Sequence, residues 1–408
     1  MSASLRTVFT GGNVFDGTGA APGPADVAVQ DGRIVEVGPG LDGDLAVDLT
    51  GRTLLPGFID CHVHVTLESV DTMTLFQQPY GYGHYIAADN LRKMLAIGIT
   101  SARDAGGASP AVKQALLDGR IVGPRLLIAI QMLSQSGGHS DGWMPSGQCM
   151  GSLGAGLVPG IGSSVVDGVE EMRQRVRELI RAGADQIKIA TSGGVLSPRS
   201  NPRHAKLTPE EIRVAVLEAQ AADIPVMAHA QGTEGIKNAV RAGVRSIEHG
   251  IYLDEEAVDL MLEHGTYLVP TLLAPHSVIE ATENGATLTD ASRRKVHEII
   301  THHQRSFKLA VEAGVRVAMG TDAVGFPHGR NLEELQLMAA AGMPSADVLK
   351  ATTSAAARLL GIDGDVGTIE VGKQADLVVV AGNPLDFTGL TERIRAVYQA
   401  GELVVSHD

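Results

Sequence analysis

The middle of this 408-residue sequence alternates between short β-type segments and amphipathic helical segments. One helix start is explicit at Thr208-Pro209-Glu210-Glu211, with an N-capping Thr, Pro at the first helical position and acids in the first turn. Repeated strand–helix units indicate a parallel sheet, and eight of them indicate a closed (β/α)8 TIM barrel of the α/β class. The eight predicted strands lie at residues 54–61, 98–104, 124–130, 185–190, 224–229, 244–249, 267–272 and 315–321.

Both ends of the chain differ from the middle, because they contain short β-type segments without intervening helical segments. The N-terminal part contains short alternating segments separated by turns, and Asp31-Gly32 between two of them is a hairpin signal. Similar segments return near the C-terminus, for example in GTIEVGKQADLVVVAGNP. We therefore predict one small β domain assembled from residues 1–56 and 366–408, beside a barrel over residues 57–365.

Composition excludes several classes of protein. With 44% hydrophobic and 20% charged residues, the chain is too apolar to be disordered. The net charge of -14 and the lack of a basic block argue against nucleic-acid or acidic-membrane partners. Two widely separated cysteines, Cys61 and Cys149, do not suggest a disulfide framework, and no apolar run approaches the roughly 20 residues of a membrane span. A cytoplasmic location is the expectation.

The segment Gly57-Phe58-Ile59-Asp60-Cys61-His62-Val63-His64 carries the strongest local signal for chemistry. Residues i and i+2 of a strand point to the same face, so His62 and His64 could bind one Zn-type ion through neutral imidazoles. Taken alone, this spacing also arises by chance among exposed histidines.

Other polar residues close segments that otherwise resemble buried strands: His229 in IPVMAHA, His249 in VRSIEHG and Asp322 in VRVAMGTDA. Burying such a group costs a few kcal/mol, about 2–7, unless a partner compensates it. Each one could be a hydrogen-bonded strand-end residue. Together with His62 and His64, however, they favour a metal site.

Lys188, within ADQIKIATSGG, has isoleucine on both sides. Its stem could lie in the core while its amine reaches a carboxylate. Alternatively, desolvation could lower its pKa, so that the neutral amine reacts with CO2 to form a carbamate, an anion able to bridge two cations. The residues alone leave both interpretations open.

In this order, GFIDCHVHV, the Lys188 strand, His229, SIEHG and GTDA resemble the amidohydrolase superfamily. The C-terminal stretch VGTIEVGKQADLVVVAGNPL resembles its usual closing segment, so the similarity covers nearly the whole chain. Within the superfamily, the sequence is most similar to the imidazolonepropionase-like branch, which includes prolidase-like dipeptidases and ochratoxin-hydrolysing amidases.

The resemblance implies a catalytic (β/α)8 barrel over residues 57–365, with a composite β-sandwich formed by residues 1–56 and 366–408 beside it. It also implies a binuclear centre with two divalent ions, expected to be Zn, in a homo-oligomeric enzyme. His62 and His64 would bind the more buried ion, and His229 and His249 the second. Lys188, carboxylated on its side-chain nitrogen, would bridge them. The resemblance thus turns the open question about Lys188 into a specific expectation.

The resemblance assigns Asp322 two roles, as a metal ligand and as the general acid/base. Two cations about 3.5–4 Å apart make a bridging hydroxide available at neutral pH and polarise the scissile carbonyl. Asp322 would take the proton of that hydroxide and deliver it to the leaving amine, which requires a carboxylate within about 3 Å of the water.

Three long connections follow strands, at residues 66–90, 131–166 and 191–207, and would overhang the catalytic face of a barrel. By resemblance, His139 would polarise the substrate carbonyl, although it could instead order its loop. Gln231 stands where related enzymes often have His or Tyr, and a neutral amide stabilises charge less well. The predicted substrate-binding residues are therefore His139, Gln231, Arg199, Arg203, His204 and Tyr82.

Four of these residues have explicit alternatives. Arg199, Arg203 and His204 could clamp a substrate carboxylate by bidentate hydrogen bonds, or they could simply be basic surface residues. Tyr82 belongs to an aromatic loop with Phe76, Tyr80 and Tyr85. That loop could line an apolar side-chain pocket or contact another subunit.

The predicted activity is hydrolysis of C–N bonds in small carboxylated amides, either dipeptides, Xaa-Pro types included, or N-acyl amino acids. A second hypothesis within the same class is hydrolysis of cyclic amides, as in imidazolonepropionase-like enzymes, or of carbamates or aryl amides of xenobiotic type. A non-catalytic barrel used for binding or assembly is the alternative from another class. Such a protein would be expected to lack at least one ligand, and all six are present.

Overall fold

The structure is a computed structural model that describes residues 5–71, 74, 77–79, 81–143, 146–147, 158–197, 199–324 and 326–407. Phe76 and Tyr80 of the predicted aromatic loop, and Cys149, lie outside these residues. Within the described ranges, no helix combines the length and the apolarity that a membrane crossing requires.

The strands fall into terminal groups and a central group. In chain order they are β1 (Thr7–Thr10), β2 (Asn13–Val14), β3 (Gly23–Pro24), β4 (Asp26–Gln30), β5 (Arg33–Gly38), β6 (Leu45–Asp48), β7 (Arg52–Pro56), β8 (Phe58–Val63), β9 (Ile99–Asp104), β10 (Arg125–Ile128), β11 (Met132–Leu133), β12 (Ile187–Ala190), β13 (Val226–Ala230), β14 (Ser246–His249), β15 (Tyr267–Val269), β16 (Leu377–Ala381), β17 (Ile394–Gln399) and β18 (Glu402–Ser406).

Helices connect the central strands. In chain order they are α1 (Tyr82–Ala96), α2 (Pro110–Leu117), α3 (Val169–Arg181), α4 (Pro209–Gln220), α5 (Thr233–Ala242), α6 (Glu255–His264), α7 (Leu273–Glu283), α8 (Asp290–Ala313), α9 (Glu333–Ala340), α10 (Ser345–Ala351) and α11 (Ser354–Leu360). The predicted start of α4 is confirmed, because the Thr208 side chain accepts from the Glu211 backbone N–H and the Glu211 carboxylate accepts from the Thr208 N–H.

The central strands form two parallel sheets, in the orders β10-β9-β8 and β11-β12-β13-β14-β15. The predicted eighth strand, 315–321, is not a regular strand. Its backbone nevertheless contacts both sheets: the Leu268 N–H of β15 donates to the Arg316 carbonyl at 2.8 Å, and the Cys61 N–H of β8 donates to the Met319 carbonyl at 2.9 Å. This segment therefore lies between the two sheets and joins them.

The first predicted strand, 54–61, is two strands in the structure. It breaks at Gly57, where a Cβ atom would lie only 2.0 Å from the Thr100 hydroxyl oxygen. β7 before the break joins a terminal sheet, whereas β8 after it joins the central one. The prediction of one continuous strand is therefore wrong, because the chain passes from one sheet to the other at Gly57, where the Thr100 side chain of β9 leaves little room for a larger residue.

Strands from both ends of the chain share a sheet. The order β18-β17-β16-β7-β2-β3 combines N-terminal and C-terminal strands, while β5-β4-β1-β6 is wholly N-terminal. The predicted hairpin at Asp31-Gly32 is confirmed: β4 and β5 pair antiparallel, and both turn residues have positive φ angles, 51° and 74°. Asp-Gly suits this turn because both positions need φ > 0.

Candidate metal centre

Polar side chains from separate strands meet at the carboxyl ends of the central sheets. His62 Nε2 lies 3.4 Å from Lys188 Nζ and 3.4 Å from Asp322 Oδ1. His64 Nε2 lies 3.2 Å from the same Asp322 oxygen. Residues that are 126 or more positions apart in sequence are thus brought together around one point.

The other two predicted histidines lie beside this group. The rings of His62 and His249 have centroids 5.2 Å apart, and those of His249 and His229 are 4.6 Å apart. The His139 ring stacks on that of His229 at 4.2 Å. The structure therefore brings all six predicted ligands and His139 into one cluster.

Hydrogen bonds on the far side of each ring orient the imidazoles of this cluster. The Nδ1 atoms of His62, His64 and His249 point away from the centre. Their hydrogen-bond partners, each at 2.7 Å, are a Glu248 carboxylate oxygen, the Gly106 carbonyl and the Thr271 hydroxyl, respectively. A partner on one ring nitrogen determines which nitrogen is left for a metal. These three rings therefore present Nε2 to the centre.

His229 has the opposite orientation. Its Nε2–H donates to the Gly193 carbonyl at 3.1 Å, which leaves Nδ1 with the lone pair. Gly193 belongs to the loop after β12, so that loop determines which nitrogen of His229 is available.

Burial and neighbouring charges control protonation in the cluster. Burial lowers the pKa of His62 to about 4 and that of Lys188 to about 8, and it holds the pKa values of His229 and His249 well below their ordinary value. Burial alone would raise the pKa of Asp322, but the charges of its histidine neighbours hold it well below its usual range. Most of the imidazoles are therefore neutral at pH 7, and the carboxylate is ionised.

His64 differs in this respect. Burial opposes its protonation, but the hydrogen bond to the Asp322 carboxylate and the charge of that group outweigh burial, so the pKa of His64 is raised. His64 and Asp322 thus form a buried, charge-stabilised pair whose carboxylate remains 20% exposed. That exposure leaves the carboxylate accessible to a substrate or water.

This donor set fits a divalent transition-metal ion. Ligand atoms of His62, His249 and Asp322 all lie within 4.8 Å of one another. Neutral imidazole nitrogens and a carboxylate oxygen are the ligands that Zn and similar ions take. His64, His229 and Lys188 surround this triad, so the site has more donors than one ion needs.

Two of the site residues have strained backbones. His249 and Asp322 have φ angles of 74° and 53°, in the left-handed region that non-glycine residues rarely adopt. Such strain costs of order 1–3 kcal/mol and persists at functional sites because the surrounding structure compensates for it. The unusual φ angles direct both side chains toward the cluster, and no sequence pattern predicted them.

A buried ion pair lies beneath the centre. Arg103 of β9 donates to Glu248 at 2.9 Å, to the Ser246 hydroxyl at 3.2 Å and to the Cys61 carbonyl at 2.6 Å. Glu248, fully buried, also accepts from His62. Burial raises the pKa of Glu248, but Arg103 and His62 more than reverse this and lower it. The ion pair therefore supports His62 from behind.

Sequence reasoning missed Arg103 and Glu248. The available signal was the alternation of polar residues in two segments treated as buried strands, Ser101 with Arg103 and Ser246 with Glu248. A third missed residue is Asp104, which closes β9 as His249 closes β14. Its carboxylate accepts from the N–H groups of Val65, Gly106 and Ala108. It thereby fixes the loop whose Gly106 carbonyl orients His64.

Replacement of Arg103 by methionine is expected to lower the free energy of unfolding by about 3–5 kcal/mol, because it leaves the Glu248 charge buried without its partner. Urea denaturation measures this. The control, Arg92→Met, removes a pair whose side chains are 65% and 46% exposed, and a loss under about 1 kcal/mol is expected. Adding Glu248→Gln to Arg103→Met should restore part of the stability; an equal loss in single and double variants would contradict this account.

The predicted substrate residues divide into two groups. His139 lies at the cluster, and Gln231 directly follows β13, two residues after His229. Within the described part of the chain, His139 Nδ1 and Gln231 Oε1 are buried without a hydrogen-bond partner. Burial lowers the pKa of His139 to about 4, so this imidazole is neutral. Both side chains therefore have a polar atom without a partner among the described residues, and the His139 ring lies beside the predicted ligand His229.

The remaining predicted substrate residues lie at the surface. Arg203 pairs with Glu298 at 2.6 Å and stacks on the Tyr252 ring, and Arg199 stacks on Trp143. His204 is exposed, and Tyr82 is 46% exposed. Their contact with substrate stays a prediction, and the described contacts of the two arginines do not support it.

Neutral imidazoles, a carboxylate and a lysine at the carboxyl edge of a parallel α/β sheet are typical of a hydrolase site. The chain belongs to the amidohydrolase family, whose family model matches residues 53–404. The ochratoxinase of Aspergillus niger is 36% identical over 358 residues, which cover 84% of this chain and 73% of that protein.

Two solved structures are similar over nearly their whole length. A Xaa-Pro dipeptidase with methionine bound in its active site is 32% identical, with a TM-score of 0.88 over 98% of this chain and 99% of that one. A prolidase complexed with N-methylphosphonate-L-proline is 38% identical, with a TM-score of 0.91 over 98% of this chain and 100% of that one. The predicted resemblance to this branch of the superfamily is confirmed, and the chain is a hydrolase whose relatives support amide hydrolysis.

Proposed function

We propose that this protein hydrolyses the C–N bond of small carboxylated amides, either dipeptides, Xaa-Pro types included, or N-acyl amino acids. The observation that carries the proposal is the convergence of six predicted ligands in one cluster, in which an ionised carboxylate, Asp322, lies among mostly neutral imidazoles. The similar solved structures support the proposal, because they include a Xaa-Pro dipeptidase and a prolidase bound to a proline derivative.

The residues that would hold the metal are the predicted ligands. His62 and His64 would bind one divalent ion and His229 and His249 a second, with Zn as the expected metal. When bound, such ions acidify water and polarise a carbonyl. Lys188 would bridge them as a carbamate: its neutral amine forms an N–C bond with CO2 and releases a proton, and a pKa of about 8 makes the neutral amine accessible.

Asp322 and His139 would perform the proton transfer and the orientation of the substrate. The Asp322 carboxylate is ionised and partly exposed, so it can accept a proton from water and pass it to the leaving amine. The stacked His139 ring is neutral, so one of its nitrogens carries a proton that it can donate to the substrate carbonyl. Gln231 would contact the substrate beside it.

We also propose that the two central sheets and segment 315–321 form one closed (β/α)8 barrel over residues 57–365. The backbone bonds of Arg316 and Met319 to β15 and β8 support this. Residues 1–56 and 366–408 would form the composite β-sandwich, in keeping with the sheet that both ends share. Homo-oligomeric assembly, with neither nucleic-acid nor membrane partners, stays a prediction.

A matched substrate panel tests the proposed function. Zn-loaded protein is expected to hydrolyse dipeptides and N-acyl amino acids and to act poorly on the same compounds with the carboxylate amidated. Chelator treatment should abolish turnover, and added Zn should restore it. If the panel shows no turnover while uncharged carbamates are hydrolysed, the carboxylated-amide proposal is wrong.

One observation favours the second candidate, an amidohydrolase for uncharged cyclic amides, carbamates or aryl amides. The two arginines of loop 191–207 already have partners, since Arg203 pairs with Glu298 and Arg199 stacks on Trp143. A site whose neighbouring arginines are engaged in this way suits a substrate without a carboxylate. The amidated half of the panel distinguishes the two candidates directly.

A further inference from the structure

Lys295 of α8 holds the loop that follows β12. Its ammonium donates to three backbone carbonyl oxygens of that loop, those of Gly194 at 3.0 Å, Ser197 at 2.6 Å and Ser200 at 3.0 Å. An ammonium group has three N–H donors, so the loop uses its entire donor capacity. Nothing in the sequence indicated this role, because Lys295 lies on an ordinary amphipathic helix.

The opposite side of the same loop contacts the candidate metal centre. The Gly193 carbonyl accepts from His229 Nε2 at 3.1 Å. At Gly194, a Cβ atom would lie 2.2 Å from Cε1 of His139, so the backbone there packs directly against that ring. Residues 193 and 194 therefore lie between the Lys295 ammonium and two imidazoles of the site.

We propose that Lys295 is a positioning residue: by holding the carbonyls of residues 194–200, it keeps Gly193 on His229 Nε2 and the Gly194 backbone against His139. His229 then presents Nδ1 to the centre, and His139 keeps the orientation in which it stacks on His229. The role in metal binding follows from the geometry of the site. The role in turnover rests on the proposed function.

The other polar contacts between α8 and the loop are weaker than those of Lys295, and the apolar packing of Val195 with Val296 and Ile299 does not bind the loop carbonyls. Arg203 and Glu298 pair at 2.6 Å, but their side chains are 48% and 53% exposed, and exposed pairs contribute little. The Ser292 hydroxyl reaches the Leu196 carbonyl only at 3.5 Å. The charge-assisted bonds of Lys295 are stronger, and they act on the residues next to Gly193.

The test compares Lys295→Ala with Lys308→Ala. Lys308 lies on the same helix, is 62% exposed and pairs only loosely with Glu312, at 3.7 Å, so its loss removes a helix-surface charge without touching the loop. In Lys295→Ala, amides of residues 193–200 are expected to exchange hydrogen at least about tenfold faster. Metal affinity should fall about 10–100-fold, which is typical when a ligand loses its outer partner. Neither change is expected in the control.

Turnover and chemical rescue separate positioning from general stability. In Lys295→Ala, kcat should fall about 10–100-fold with a smaller change in KM, because misplaced catalytic groups affect the reacting geometry more than binding. Propylammonium, which returns the missing stem and charge, should restore metal affinity and kcat, whereas propanol should not.

Two outcomes would overturn the proposal. In the first, Lys295→Ala and Lys308→Ala show the same hydrogen-exchange rates and the same metal affinity. The other is a loss of metal affinity and kcat that propylammonium does not reverse and that accompanies a fall in Tm. A lysine with a merely structural role would give that result. If the wild-type protein hydrolyses none of the proposed amides, the proposed function fails, while the exchange and metal measurements still decide the role of Lys295.

Discussion

Lys188→Ala is expected to lose about one metal ion per chain and nearly all hydrolytic activity. Lys188 is 1% exposed, and its Nζ lies 3.4 Å from His62 Nε2, at the middle of the predicted ligands. Without the side chain, no anion would bridge the two ions, and the second would bind weakly. Elemental analysis after Zn supplementation and kcat/KM for the best amide of the panel measure the two effects.

Short carboxylic acids provide a direct check on the bridging role of Lys188. Acetate or propionate should partly restore metal content and rate in Lys188→Ala, because a free carboxylate can stand in for the carbamate. Lys237→Ala is the matched control: this lysine is also mostly buried, but it pairs with the half-exposed Asp254 and Glu256 away from the centre. A Lys188→Ala protein that keeps both ions and the wild-type rate would show that Lys188 bridges nothing.

The second large effect is expected for Asp322→Asn, which should lower kcat/KM by about 10²–10⁴. Asparagine has nearly the same shape, but it cannot accept the proton of water or pass it on. In the wild type, the pKa of Asp322 is held below its ordinary range by the neighbouring histidines in spite of burial, so the ionised form is present at neutral pH. Steady-state kinetics measure the loss.

The expected control for Asp322→Asn is Asp347→Asn. Asp347 is 47% exposed and pairs with Lys350 at 3.3 Å within α10, so its neutralisation removes one surface charge and should leave kcat/KM unchanged. Circular dichroism should show an intact fold in both variants. An Asp322→Asn enzyme within about threefold of wild type would exclude a proton-transfer role for this carboxylate, since such roles contribute 10²–10⁴.

Much of the candidate site could be predicted because each signal is local. His229, His249 and Asp322 each close an apolar segment, and several such polar side chains at the carboxyl ends of parallel strands together favour a functional site. The same rule, applied to Asp104 at the end of β9, would have found one more residue. The orientation of the His139 ring and the exposure of Arg203 carry no local signal.

What could not be predicted depends on partners that are distant in sequence. Glu248 meets His62 across 186 positions, and Arg103 meets Glu248 across 145. Lys295 reaches the Gly194 carbonyl across 101 positions. Periodicity places a residue on a face of its own element, but it does not say which side chain of another element lies opposite.

The sequence by itself determined most of the strand–helix alternation, the positions of His229 and His249 at or near the ends of their strands, and the order of the predicted ligands along the chain, because all of these follow from local spacing and polarity. Only the tertiary structure decided which nitrogen each histidine presents, which charges neutralise one another and which residues hold the loop after β12. The physical reason is that hydrogen-bond direction and burial are properties of three-dimensional contacts. His229 illustrates this division. Its place near the end of β13 could be predicted from IPVMAHA, but the hydrogen bond to the Gly193 carbonyl, which leaves Nδ1 available, could not.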